Sequence, residues 1–276
     1  ASVATVSAAG LVTAVGNGTA TITATSGSVS ATATATVNQT AASVTLSPTS
    51  VTFNSIGAAA TLVATVRDAG GNIISGATVT WATSSSSVAT VSSAGLVTAV
   101  ADGTATITAT SGSVSATATA TVSQVAAIVE LSPNSLAFQS LGDTATLIAT
   151  VRDAGGTVIS GADVTWATSS AFIATVSSTG LVTAVTDGTT TITATSGSAN
   201  GTATVTVNQT AASITLSPTS LSFTSIGDGA TLTATVRDAG ETVISNPTVT
   251  WATSDASIVT VSAAGLVTAA GNGTAT

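Results

Sequence analysis

A segment of 85 residues returns in register along this chain, and that period constrains the fold more than any other feature. ATVTWATSSSSVATVSSAGLVTAVADGTATITAT at 77–110 comes back as ADVTWATSSAFIATVSSTGLVTAVTDGTTTITAT at 162–195, and parts of it stand at 1–25 and 247–276. Trp81, Trp166 and Trp251 are spaced 85 apart, as are Arg67, Arg152 and Arg237, and Pro48, Pro133 and Pro218. No insertion or deletion interrupts the period, so the chain is a tandem array and each question reduces to what one copy does. The 276 residues divide into a C-terminal half-repeat at 1–41, complete repeats at 42–126 and 127–211, and a partial repeat at 212–276 that lacks its last strand. A copy of this length is just large enough for a modest core.

Within a copy the apolar residues alternate with Thr and Ser, the period of a half-buried strand. In 42–126 the pattern predicts strands at Ser43–Ser47, Val51–Asn54, Ala60–Arg67, Thr78–Thr83, Val88–Ser92, Leu96–Val100, Thr104–Thr110 and Val114–Val122. Pro48 cannot donate to a ladder and marks a sheet edge or a strand switch between the first two. Leu62, Ala64 and Val66 fall on one face, with Val63, Thr65 and Arg67 on the other. Ala105, Ile107 and Ala109 point inward, as do Ala116, Ala118, Ala120 and Val122. Asp102-Gly103, with its counterparts Asn17-Gly18, Asp187-Gly188 and Asn272-Gly273, is a tight-turn signal. Counting the first two predicted strands as one switched run gives about seven, the number an immunoglobulin-like β-sandwich needs. The expected class is all-β, a tandem series of such sandwiches. The spacers Asn38–Ala41, Ser123–Ala126 and Asn208–Ala211 are short and not glycine-rich, so we expect little hinge motion.

Four signals in fixed order carry a family resemblance: Trp-Ala-Thr-Ser, Val-Ala-Thr-Val-Ser, Gly-Leu-Val-Thr-Ala and Gly-Thr-Ala-Thr-Ile-Thr-Ala. With the opening strands SVTLSPTSVTFNSIGAAATLVATVRDAGGNIISGATVTW, each copy resembles a group 2 bacterial immunoglobulin-like domain, the kind found in intimin- and invasin-type surface proteins. The resemblance covers the whole chain. It implies an extracellular β-sandwich of the sort used in stalks and adhesins, and it implies no single ligand.

Composition removes several function classes. Lys and Arg total 3 against 11 Asp and Glu, for a net charge of −8, so the clustered basic residues of a nucleic-acid footprint are absent. The same deficit removes attraction to an anionic membrane. Despite a mean hydropathy of +0.61, no apolar run approaches the ~18 residues of a membrane helix. Alternation with Thr and Ser, without aromatic girdles, is unlike a membrane barrel. With no Cys the sandwiches rely on apolar burial rather than disulfides. His, Cys, Lys and Tyr are all missing, and no pair of carboxylates recurs at one spacing, so we expect no enzyme and assign no catalytic, cofactor or metal residues.

Four features invite a functional reading. Trp81, Trp166 and Trp251 suit sugar-stacking platforms or core anchors, and the inward phase of the strand favours the core. Arg67-Asp68, Arg152-Asp153 and Arg237-Asp238 suit either a calcium or partner site, or an Asp that accepts turn N–H groups with Arg lying across a neighbouring strand or loop. One carboxylate is few for calcium, which takes six to eight oxygens, so the structural reading is favoured. Outward Thr rows suggest ice or crystalline polysaccharide, but sandwich sheets twist, which spoils a flat array. Asn17, Asn38, Asn200, Asn208 and Asn272 fit the N-glycosylation pattern, a weak signal in repeats of bacterial type.

The expected function is a structural extracellular stalk or fibre, part of a bacterial surface or adhesin-type protein. One alternative is an adhesive binding module for a receptor or glycan. Another is a head-to-tail filament in which a strand such as 29–37 of one copy completes 212–276 of the next, although the overlap of 1–21 with 256–276 argues against simple exchange. Residue 1 falls inside a repeat, so we expect the sequence to be a window on a longer chain. The expected partners are neighbouring repeats, further copies of the chain and a cell-surface or glycan ligand.

Overall fold

Alternation of Val, Ile and Ala with Thr and Ser produces strands with one apolar and one hydroxyl face. The computed structural model describes residues 2–276, and every regular element among them is a strand. Contacts gather into two compact units, Ala1–Val125 with Asp153–Thr157, and Ala126–Arg152 with Val158–Thr276.

In the first unit, β1 (Ala4–Val6) pairs with β2 (Val12–Ala14), and β3 (Gly18–Ser26) with β4 (Val29–Val37), both antiparallel. Nine strands then build the repeat 42–126: β5 (Ser43–Ser47), β6 (Ser50–Phe53), β7 (Ala59–Thr61), β8 (Val63–Arg67), β9 (Thr80–Thr83), β10 (Ala89–Val91), β11 (Leu96–Ala99), β12 (Gly103–Ser111) and β13 (Val114–Val122). One sheet runs β6-β13-β12-β9, and facing it are β10-β11-β7 and β5-β8.

The nine segments are seven continuous runs. β5 and β6 are one run that changes sheets at Pro48, the second of the two roles expected of that proline, and the Ser47–Pro48 peptide bond is cis. β7 and β8 are one run, expected as unbroken, that is interrupted at Leu62. There the Leu62 N–H bonds the Gly95 carbonyl at 2.9 Å, and the run passes from pairing with β11 to pairing with β5. Leu62 is 1% exposed and sits with Ile107, Val97, Val122 and Phe53 in the core. The inward faces of β12 and β13 are the predicted ones, and their outward faces pair Thr104 with Thr121, Thr106 with Thr119 and Thr108 with Thr117. Such cross-strand pairs each add roughly 0.2–1 kcal/mol over Ala–Ala.

The second unit repeats the plan with β14 (Ile128–Ser132), β15 (Ser135–Phe138), β16 (Thr144–Thr146), β17 (Ile148–Arg152), β18 (Thr165–Thr168), β19 (Ala174–Val176), β20 (Leu181–Ala184), β21 (Gly188–Ser196) and β22 (Ala199–Val207). Its sheets are β15-β22-β21-β18, β16-β20-β19 and β14-β17. Its core has two clusters, one around Ile192 and Phe138 and one around Val129 and Val151, and both rest against Trp166 and Leu131. After it come β23 (Ser213–Ser217), β24 (Gly229–Thr231), β25 (Thr233–Arg237), β26 (Val259–Val261) and β27 (Leu266–Ala269).

The partial repeats show what the full set of strands accomplishes. Val44 and Leu46 are each 8% exposed, whereas their equivalents Ile214 and Leu216 are 55% and 41% exposed. Residues 212–276 contain no counterpart of β13, against which β5 packs in the complete repeat. In 1–41, Ala4 is buried while the faces of β3 and β4 are largely open.

Candidate functional site

The charged residues present in every copy that covers their position converge on the repeat boundary. Each Arg-Asp pair ends the strand β8, β17 or β25 and opens a five-residue loop. The Asp N–H bonds the carbonyl four residues on: Asp68 to Asn72 at 3.0 Å, Asp153 to Thr157 at 2.9 Å, Asp238 to Thr242 at 2.9 Å. In the first unit Arg67 reaches across its loop to the Gly71 carbonyl at 2.8 Å, and in the second Arg237 reaches the Glu241 carbonyl at 2.8 Å. Arg152 meets Glu130 at 3.2 Å on the neighbouring strand, a half-exposed ion pair worth little in stability.

The two oxygens of Asp153 and Asp238 have separate duties, and Asp68 differs only in that its Oδ2 also accepts the Asn72 side-chain amide at 3.3 Å. Oδ1 serves the loop. For Asp153 it accepts the N–H groups of Gly155 and Thr157, each at 2.9 Å; for Asp238 it accepts that of Thr242 at 2.8 Å; for Asp68 that of Asn72 at 2.8 Å. Oδ2 serves residues far earlier in the chain. In the second unit Asp238 Oδ2 accepts the Leu141 N–H at 3.1 Å and the Gln209 side-chain amide at 2.9 Å. In the first unit Asp153 Oδ2 accepts the Ile56 N–H at 3.0 Å and the Gln124 amide at 2.8 Å, and Asp68 Oδ2 accepts the Gln39 amide at 2.8 Å.

The glutamines are fixed in turn by the tight turns. Gln39 donates its backbone N–H to Asn17 at 2.6 Å, Gln124 to Asp102 at 2.8 Å, and Gln209 to Asp187 at 2.8 Å. Each boundary is therefore a chain of three side chains: a turn Asn or Asp, a spacer Gln, and an Asp on the following copy.

Asp153 and Asp238 are 0% exposed, with no cation among their hydrogen-bond partners. A buried carboxylate is tolerated when N–H donors solvate its charge. For Asp238 and Asp68 the glutamine amide is the largest influence, and together with the backbone donors it holds each carboxyl below the usual range. For Asp153 desolvation is the largest single influence and pushes upward, but Gln124 and the N–H groups of Ile56, Thr157 and Gly155 outweigh it, and the net direction is again down. Gly240 is part of the fit, because a Cβ there would lie 3.3 Å from the Leu141 carbonyl.

The sequence reading had the Asp accepting turn N–H groups, and the structure adds the second oxygen and the glutamines. The signal was present in the sequence: a Gln sits in each spacer, 29 residues before each Asp. Among the described residues no cluster of three or more potential ligands is arranged for a metal ion.

Trp81, Trp166 and Trp251 are half-buried. Trp81 and Trp166 pack against the core, and Trp166 also borders a shallow cleft of about 360 Å³ with Leu147, Ala149, Val164 and Thr179. The indole rests on a glycine at a fixed place: a Cβ on Gly95, Gly180 or Gly265 would lie 2.8–2.9 Å from the Cζ2 of its Trp. Phe53 and Phe138 are buried, and Phe223 is half-buried.

Sandwiches of this topology, repeated in tandem, define a class of immunoglobulin-like array. The sequence places it more narrowly. The description "Bacterial Ig-like domain (group 2)" matches residues 1–37, 40–122, 126–207 and 210–276, and the chain belongs to that family. No curated protein sequence matches it. Among solved structures, domains 4 and 5 of the S-layer protein SbsC are 27% identical over 54% of this chain and 81% of theirs, with a TM-score of 0.30. Domains 1–6 of the same protein are 20% identical over 96% of this chain and 45% of that one, with a TM-score of 0.32. The Escherichia coli adhesin FdeC is 18% identical over 82% of this chain and 87% of its own, with a TM-score of 0.36.

Proposed function

We propose that the chain is a connecting segment of a bacterial surface protein, a stalk of Ig-like repeats with a structural rather than catalytic task. The observation that carries this reading is the recurrence of the Gln–Asp bond at every repeat boundary, with Asn or Asp of the preceding turn fixing the Gln. A chain that invests its recurring charges in its own boundaries is suited to holding neighbours in order. Membership of the group 2 family supports a surface role.

Deleting residues 127–211 from the full-length protein, on cells, tests the reading. A stalk keeps its attachment function and loses only reach. An adhesive array loses affinity for its receptor or glycan, and that result would replace the stalk by the adhesin.

A further inference from the structure

The same five residues, Val-Thr-Trp-Ala-Thr, stand at 79–83, 164–168 and 249–253, and in the complete repeats they form an outer sheet edge. In 127–211 they lead into β18, the last strand of the sheet β15-β22-β21-β18. The Ser169 N–H bonds the Thr191 carbonyl at 2.9 Å, which fixes the alternation of the ladder. Thr165 and Ala167 therefore bond to β21, and Val164 and Trp166 turn their N–H and C=O groups away from the sheet, where no backbone partner meets them. In 42–126 the Ser84 N–H bonds the Thr106 carbonyl, also at 2.9 Å, and Val79 and Trp81 turn outward in the same way.

A second wall comes from β17. The Leu147 N–H bonds the Gly180 carbonyl and the Ile159 N–H bonds the Val151 carbonyl, each at 2.9 Å. Between them on that side lies Ala149, whose N–H and C=O have no backbone partner there. Ala64 and Ala234 are framed likewise, by Leu62 with Gly95 and Val66 with Ile74, and by Leu232 with Gly265 and Val236 with Ile244. Beside Ala149 two shallow clefts of about 360 and 250 Å³ meet, sharing Ala149, Ala162 and Val164, and no charged side chain lines either one.

Sheets usually blunt an exposed edge with lysine, proline, a bulge or an inward charge. Val164–Thr168 has no charge and no proline, and β18 runs against β21 without a bulge. A row of main-chain donors and acceptors left in this way is the template for a further strand. A fifth strand added here turns alternate side chains toward the cleft, whose alanine walls and lack of charge admit small, uncharged residues.

The geometry points to a docking site for an extended peptide: the edge at Val164 and Trp166 takes one uncharged strand with small apolar residues at alternate positions, and these fill the cleft beside Ala149. The site is independent of the stalk reading, since deleting residues 127–211 reads attachment whereas docking is read at single amides.

The probe is an end-blocked peptide with the sequence of residues 114–122, Val-Ser-Ala-Thr-Ala-Thr-Ala-Thr-Val, which carries no charged side chain and alternates as required. Added to the whole chain, it is expected to raise hydrogen-exchange protection of the Val164 and Trp166 amides by roughly tenfold or more. The same peptide with Thr117→Pro and Ala118→Pro lacks adjacent donors and should leave both amides as they were. In the chain itself, Ala162→Glu sets a charge in the cleft and should abolish docking on 127–211, while Val79 and Trp81 still respond. Should that variant fail to fold, the proline peptide on the parent chain decides. Protection that stays flat with saturating peptide, rises equally with the proline peptide, or survives Ala162→Glu would overturn the inference. Protection that rises with protein concentration alone would replace the peptide by a second copy of the chain. A response to cellohexaose but not to the peptide would make the cleft a glycan site, and either result overturns the inference too.

Discussion

Replacing Gly95 by alanine should cost the repeat 42–126 far more than the same change at Gly112, although both glycines have positive φ, +78° and +60°. An L residue forced into the left-handed region costs ~1–2 kcal/mol, and at Gly112 that is the whole effect, because a Cβ there meets nothing within 4 Å. At Gly95 the Cβ would stand 2.8 Å from Trp81 Cζ2, 3.2 Å from Cε2, and in contact with the Leu62 carbonyl. That carbonyl cannot retreat, because Leu62 is buried and its N–H is tied to the Gly95 oxygen. Overpacking of this kind adds ~1–3 kcal/mol. The totals are therefore about 1–2 kcal/mol for Gly112→Ala and about 2–5 kcal/mol for Gly95→Ala. For a domain of this size each kcal/mol moves Tm by ~4–8 °C. Thermal melts of the two variants, followed by circular dichroism and by tryptophan fluorescence, should differ by at least about 4 °C, with the early step of Gly95→Ala accompanied by the change in Trp81 emission. Equal, small shifts would show that the indole and the Leu62 carbonyl have room to spare and would refute the fit described for this glycine.

Trp81→Ala should destabilise its repeat by about 3 kcal/mol, the low end for tryptophan truncation because the ring is half-buried, and denaturant titration of the early transition reads it. The boundary carboxylates should resist mild acid. Their folded pKa values lie below the ordinary 3.8, so their contribution is fully present above that value and is lost as pH falls through the lowered pKa. Protection of the Ile56 and Leu141 amides, taken against the intrinsic exchange rate at each pH, should therefore hold from neutral pH to about 4 and fall below it, while Asp153→Asn and Asp238→Asn lose protection at neutral pH; unprotected amides in the parent at neutral pH would contradict the bonds. Calcium or a chelator should leave Tm unchanged, because both oxygens of Asp153 and Asp238 already accept N–H groups; a calcium-dependent rise would contradict that assignment.

Much of the fold was legible because the signal is local. Val114–Val122 was delimited in advance since nine residues alternate without fault, and the strand switch was marked by one proline. The break in Ala60–Arg67 was not visible, because it depends on Leu62 meeting Gly95, a partner that strand periodicity cannot name. The boundary site was half legible. The five-residue loop explains one oxygen of each Asp, and turn chemistry predicts it. The other oxygen answers to residues 29 and 97 positions earlier, a distance that only the folded chain closes. The glutamines were read as spacer because an amide on a short linker has no pattern of its own.

The donor that leaves each copy and the acceptor that greets it are written into the same 85 residues. Unequal exchange between genes that adds or removes a whole period therefore regenerates every boundary without a new sequence, while an insertion or deletion between a glutamine and its aspartate alters the 29-residue spacing that joins them. Arrays of this kind can lengthen or shorten over generations in fixed increments, each new boundary arriving with its own donor and acceptor.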